Sequence, residues 1–106
     1  MLALQTCKTD QSYKQAVLKE LRTIPGVGKQ IALDLWNIGV RSVDELRNRN
    51  PDVLYFHICD YQGMQVDRCM LYVLRCAVYY ASNETHNPDL LKWWNWQDKH
   101  LNTQPK

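Results

Sequence analysis

Apolar residues recur along this chain at spacings of three and four, and no stretch alternates every second residue long enough to suggest a strand. Tyr13, Ala16, Val17, Leu21 and Ile24 fall at i, i+3, i+4, i+8 and i+11, one face of a helix that Thr9, Asp10 or Ser12 could cap. Pro25 and Gly26 stop it, because proline biases the preceding residue away from helix and glycine accepts a left-handed backbone. A second helix is expected from about Gly28 to Ile38, with Ile31, Ala32, Leu35 and Ile38 on one face and Gly39 as its stop. Ser42 followed by Glu45 is a capping-box pattern, which predicts a short connector over Val43–Arg47. Asn50 and Pro51 open another helix, which ends at Gly63. The stretch VDRCMLYVLRCAVYYAS, residues 66–82, is the most apolar, and Arg68, Tyr72, Arg75 and Tyr79 make its single polar stripe, as expected of a central helix. Asn87 and Pro88 repeat the Asn-Pro start and predict a terminal helix to about Asp98.

The order helix, turn, helix thus occurs over residues 12–38 and again over 51–82, with a small helix between. The first turn reads IPGVGK and the second YQGMQV, which lacks the proline and one glycine. The expected organisation is an N-terminal flexible segment at 1–11, one all-α domain over 12–98, and a frayed tail at 99–106.

Composition narrows the picture further. The 106 residues are 45% hydrophobic and 23% charged, the balance of a globular chain with a modest core. No apolar run approaches the roughly 20 residues that cross a bilayer, and the start MLALQTCKTD is too short for a secretory signal core. A cytoplasmic protein without membrane contact is therefore expected. Cys7, Cys59, Cys69 and Cys76 contain no CxxC, so reduced thiols are expected rather than a zinc ribbon or disulfide framework. The net charge is only +2, but residues 1–50 carry eight Lys and Arg against five Asp and Glu, while residues 51–106 carry five against six. The basic excess lies on the side of the chain that holds the PGVG turn; ordinary solvated surface charge is the plain alternative.

That turn is the principal candidate for chemistry. The first N–H groups of a helix have no partner within it, the helix dipole makes them electropositive, and flanking glycines let an anion approach. Ile24, Pro25, Gly26, Val27 and Gly28, with Ala32 four residues on, resemble the helix-hairpin-helix signature. The doubled arrangement resembles the tandem helix-hairpin-helix domain of DNA repair and recombination proteins, a small helical domain of the SAM or RuvA-C type, here with a short connector and an extra C-terminal helix. Residues 20–98, through the stretches IPGVGKQIALDLWNIGVRSVDELRNRNP, QVDRCMLYVLRCAVYYAS and DLLKWWNWQD, are also similar to a bacterial family known as the pathogenicity-locus protein, sometimes labelled mitomycin resistance protein. The label suggests a drug-modifying enzyme, yet no flavin- or nucleotide-binding motif supports one, and neither cofactor nor catalytic residue is assigned.

The resemblance implies sequence-independent DNA binding, with Gly26, Gly28, Lys29 and Gln30 giving donors to phosphate and Val27 plugging the turn into the core. Lys19, Arg22 and Arg68 would add supporting charge, and Gly63, Met64 and Gln65 would form a second, altered contact across the minor groove. The alternatives are that the first turn only joins two helices, or that the domain docks a protein partner or dimerises through apolar helix faces. A DNA glycosylase would need an Asp after the hairpin; Asp44 is loosely placed for this, but the chain is too short for the bipartite cleft. A metal site from His57, Cys59 and Cys69 has unconvincing spacing, and Cys69 and Cys76 are expected in the core. Trp93, Trp94 and Trp96 could stack unpaired bases, but a lid over an apolar edge is the preferred reading.

Overall fold

The computed structural model describes the backbone of residues 2–98 and the side chains of residues 11–98, and all regular structure within that range is helical. Four α-helices, α1 (Leu2–Leu21), α2 (Lys29–Asn37), α3 (Pro51–Gln62) and α4 (Cys69–Ser82), are joined by a 3₁₀ connector at Val43–Leu46. Two further 3₁₀ turns follow, Pro88–Leu91 and Trp93–Trp96.

α1 begins at Leu2, well ahead of the expected boundary near Ser12. Residues 2–11 contain neither proline nor glycine and include Leu, Ala, Gln and Lys, so nothing local interrupts the helix. At its other end α1 stops at Leu21, and the Arg22 N–H donates to the Leu18 carbonyl while Ile24 N–H closes onto Leu21 at 3.2 Å. Tightened last turns of this kind satisfy carbonyls that a helix end leaves open. The tail expected to fray, 99–106, lies outside the described residues.

α1 packs on α2, α3 packs on α4, and α2 touches α3, so the two helix pairs share one core. Leu21, Ile24, Leu35, Leu46, Leu54 and Leu74 are fully enclosed at its centre. Ala32 is equally buried, which lets α2 approach its neighbours closely. Burying a leucine is worth about 2 kcal/mol, so this cluster supplies much of the driving force for folding. Val17 joins the core as its spacing predicts, but Tyr13 and Ala16 are exposed, and Tyr13 instead meets the Trp36 ring edge-on.

Helix ends show where local signals succeeded. Asn50 accepts from the Asp52 N–H and Asn87 from the Asp89 N–H, each with a proline at the next position. The capping box at Ser42 is not formed: the Val43 N–H donates to Glu20 of α1 at 2.8 Å, and Glu45 accepts from Arg41. The Glu45 N–H, which the Ser42 hydroxyl was expected to meet, donates to the Ser42 carbonyl instead, and a carboxylate from a different helix caps the connector's first amide. Arg41 closes the other end of α2, donating to the Trp36 carbonyl with its guanidinium over the Trp36 ring.

The expected terminal helix over Pro88–Asp98 is instead two 3₁₀ turns broken at Lys92, whose backbone is extended. In one straight α-helix Trp93, Trp94 and Trp96 would fan out around the axis. The broken form sends Trp93 toward Gly26 and Trp96 toward Tyr79. α4 then meets the backbone that has lost helical partners, since Arg75 donates to the Trp96 carbonyl at 2.7 Å. Trp96 Nε1–H in turn donates to the Leu90 carbonyl. Arg68, Arg75 and Tyr72 all bind the Asp98 carboxylate. The polar stripe on α4 is therefore the seat of the C-terminal segment.

Candidate functional site

Between α1 and α2 the chain turns through Arg22–Gly28. Gly26 sits at φ +86°, a left-handed backbone that disfavours side chains, and a Cβ there would lie 3.1 Å from Trp93 Cδ1. Gly28 is the N-cap of α2 with an extended backbone and no side-chain cap, and a Cβ on it would meet nothing within 4 Å. Val27 is buried, and its N–H donates to the Ile24 carbonyl at 3.0 Å. The plug role expected of Val27 is thus what its side chain does, while its amide is already engaged.

The next amides differ. The first bond into α2 runs from the Ala32 N–H to the Gly28 carbonyl. Among the described residues, the N–H groups of Gly26, Gly28, Lys29, Gln30 and Ile31 meet no protein acceptor. Gly28, Lys29 and Gln30 are exposed. Unpaired donors at an exposed helix start present a partial positive charge to solvent.

Beside this start lies a cleft of about 810 Å³, lined by Gln15, Leu18, Lys19, Arg22, Thr23, Lys29, Gln30 and Leu33. Lys19 and Arg22 of the α1 side therefore line the same cleft as Lys29 and Gln30 of α2, so four of the residues singled out in the sequence come together. None of the lining residues is acidic. Glu20, which follows Lys19, is turned to the connector at Val43.

Behind Gln30 is a feature that sequence reasoning missed. Asp34 is 4% exposed and accepts from Gln30 and from Gln62 of α3, at 3.2 and 3.0 Å. Burial raises its pKa above the ordinary aspartate value, against the lowering effect of the two amides. Its position among Ala32 and Leu35 was the available signal, since an acid next to core positions of a helix needs partners.

The second turn, from α3 to α4, is built otherwise. Gly63 is left-handed at φ +71°, and the N–H groups of Gly63 and Met64 both reach the Cys59 carbonyl, at 2.9 and 3.2 Å. The Asp67 carboxylate accepts from the Cys69 N–H at 2.8 Å. That bond holds the Asp67 pKa below the usual aspartate value. Of the expected contact Gly63, Met64 and Gln65, two amides are spent on the turn itself, and a negative side chain occupies the start of α4. An aspartate just before an apolar helical run was the signal for this cap. Arg68, expected as supporting charge, is bound to Asp98 and does not join the α1–α2 cleft.

The remaining candidates separate. Cys76 is buried, where desolvation pushes its thiol up to about 11, but Cys69 is exposed at the start of α4 rather than in the core. Cys59 accepts from the Val66 N–H, and His57 is exposed beside the Phe56 ring. Among the described residues no three His, Cys, Asp or Glu side chains are grouped to hold a metal ion. Trp93 and Trp96 are half-buried against the domain, and Trp94 is 47% exposed. Among the described residues, no helix is long and apolar enough to cross a membrane.

Comparison with known proteins places this arrangement in a lineage. No solved structure matches the chain. The mitomycin resistance protein McrB of Streptomyces lavendulae is 30% identical over 77 residues, which cover 73% of this chain and 70% of that protein. A family profile described as pathogenicity locus (Cdd1) matches residues 14–102, and so takes in α1 from Lys14 onward, the other three helices, the basic cleft and the Trp segment. The chain belongs to the pathogenicity-locus family.

Proposed function

We propose that this protein is a non-catalytic, sequence-independent DNA-binding domain of the tandem helix-hairpin-helix type, which holds backbone phosphate at the start of α2. The observation that carries this reading is the set of partnerless amides at Gly28, Lys29 and Gln30, exposed and flanked by Lys19, Arg22 and Lys29. Peptide N–H groups and flexible cations recognise phosphate oxygens and read no base edge, so affinity should fall with salt and vary little with sequence. The family description and the relative's name, a mitomycin resistance protein, name no nucleic acid, so the reading rests on the chemistry of the turn.

A salt titration of binding to short duplex DNA, with Gly28→Glu alongside the wild type, tests it. The space around Gly28 accepts a side chain, so the variant should keep its melting temperature while its carboxylate sits where phosphate would. A loss of about tenfold or more at low salt is expected. Equal binding by a folded variant would remove the turn from the interface.

A protein-docking role is the second reading, favoured by one observation. Phe56 and Met64, 65% and 63% exposed, flank a hollow of about 420 Å³ at the second turn. If no DNA is bound at low salt, this face becomes the working surface.

A further inference from the structure

We propose that the cleft between α1 and α2 is a site for single-stranded nucleic acid, so that one strand suffices as ligand and a duplex is not required. This deepens the phosphate-binding reading above and rests on it. Three observations lead here. The first is the asymmetry of the turns. A duplex held across its minor groove needs a phosphate grip for each strand. The second turn has spent its Gly63 and Met64 amides on Cys59 and carries the Asp67 carboxylate at the start of α4. A second phosphate there would meet a like charge, and Arg68, the nearest cation in sequence, is held by Asp98.

The second observation is the size of the cleft. About 810 Å³ of half-open space gives room for more than a single phosphate group. The third is its lining. Lys19 of α1, Arg22 just past its end and Lys29 of α2 all line it, together with half-buried Leu18 and Leu33, which supply apolar surface. Cations along the walls suit a phosphate chain, and the leucines suit the flat face of a sugar or unpaired base, which a duplex keeps stacked inside. Gln15 offers an amide that can pair with any base edge, consistent with tolerance of sequence, while the Gln30 side chain is held by Asp34. An acidic peptide would satisfy the cations but leave the apolar strip unused.

Fluorescence anisotropy with a labelled 12-nucleotide single strand and the matching 12-base-pair duplex tests the proposal on the full chain. The single strand should bind no more than about threefold more weakly than the duplex, although the duplex carries twice the phosphates. Its salt slope should be near −2, about 0.7 for each of three cations. The double variant Lys19→Glu/Arg22→Glu, both positions exposed, one on α1 and one just past its end, should reduce single-strand affinity about tenfold or more with an unchanged melting curve. An RNA strand of the same sequence identifies the source: equal binding means the sugar is not read, and selective loss assigns the site to DNA.

A duplex preferred by more than about threefold overturns the single-strand assignment and leaves the phosphate reading intact. Displacement of the strand by polyglutamate at equal charge concentration overturns it in favour of an acidic protein segment. Failure of both single strand and duplex to bind at low salt overturns this inference together with the reading beneath it.

Discussion

The two turns that join the helix pairs share a left-handed glycine and a following helix, yet one leaves its amides open and the other closes them. At the first, Pro25 and the pair Gly26 and Gly28 bring the chain into α2 with no side-chain cap. At the second, a longer path from Gly63 to Cys69 gives room for Asp67 to fold back on the helix start. The lesson is that likeness in turn geometry does not carry over to function. What an incoming anion would meet at the second turn is set by one side chain, Asp67, four residues beyond the left-handed glycine.

The sharpest way to break the comparison is at the glycines themselves. Gly26→Ala must hold a strained backbone and also displace Trp93, whereas Gly63→Ala meets strain alone in open space. Urea unfolding should show a loss of about 2 kcal/mol for Gly26→Ala and about 1 kcal/mol for Gly63→Ala. Equal losses would mean that Trp93 does not bear on the first turn.

Next in size is an attempt to make the second turn resemble the first. Asp67→Asn removes the negative charge but keeps an oxygen to accept the Cys69 N–H. Duplex affinity should rise about threefold at low salt, with the gain fading as salt is added. The same variant carries a pH signature. The folded-state pKa of Asp67 is depressed, so the stability it contributes is present above the unfolded aspartate value and is lost as pH falls through the folded one. Acid melting curves of Asp67→Asn should lack that component.

Asp34 has the opposite sign, which sharpens the contrast between a buried and an exposed acid. Its folded pKa is raised, so the native state holds the proton more tightly than the unfolded chain. Stability contributed at this site therefore falls as pH rises from the ordinary aspartate value to beyond the folded one. Asp34→Asn keeps an acceptor for Gln30 and Gln62, and at neutral pH should melt at or slightly above the wild type. A variant that melts several degrees lower would show that the charge itself is needed between α2 and α3.

The smallest effect is expected at the C-terminal seat. Arg68 and Arg75 hold the Asp98 carboxylate well below the usual range, so the bridge persists through neutral and mildly acidic pH. Asp98→Asn should lower the melting temperature modestly and, by freeing Arg68, raise duplex affinity less than Asp67→Asn does. Thermal melts and anisotropy on the two variants side by side give the order.

Much of this architecture was legible beforehand because its signals are local. The Asn-Pro starts, the left-handed stops at Gly39 and Gly63, and the apolar faces of α2 and α4 each depend on a few neighbouring residues. The failures share a different origin. The capping box at Ser42 did not form, and the connector's first amide is capped by Glu20, twenty-three residues away. The terminal helix gave way to 3₁₀ turns because Arg75 and Gly26, both distant in sequence, took up the carbonyl of Trp96 and the ring of Trp93. At the candidate site, the residues Gly26, Gly28, Lys29 and Gln30 were readable from the PGVG turn, and Lys19 and Arg22 were named as neighbours. That these cations wall one cleft, that Val27 uses its own amide, and that Asp34 backs Gln30 were not readable.

By itself the amino-acid order determined that the chain is helical, where most helices stop, and which turn carries glycines able to bare its amides. These follow from backbone sterics and apolar spacing, which act over a few residues. Only the tertiary structure decided which amides stay open and which cations stand together, because hydrogen-bond partners and charges are chosen among groups that folding brings near, whatever their separation along the chain.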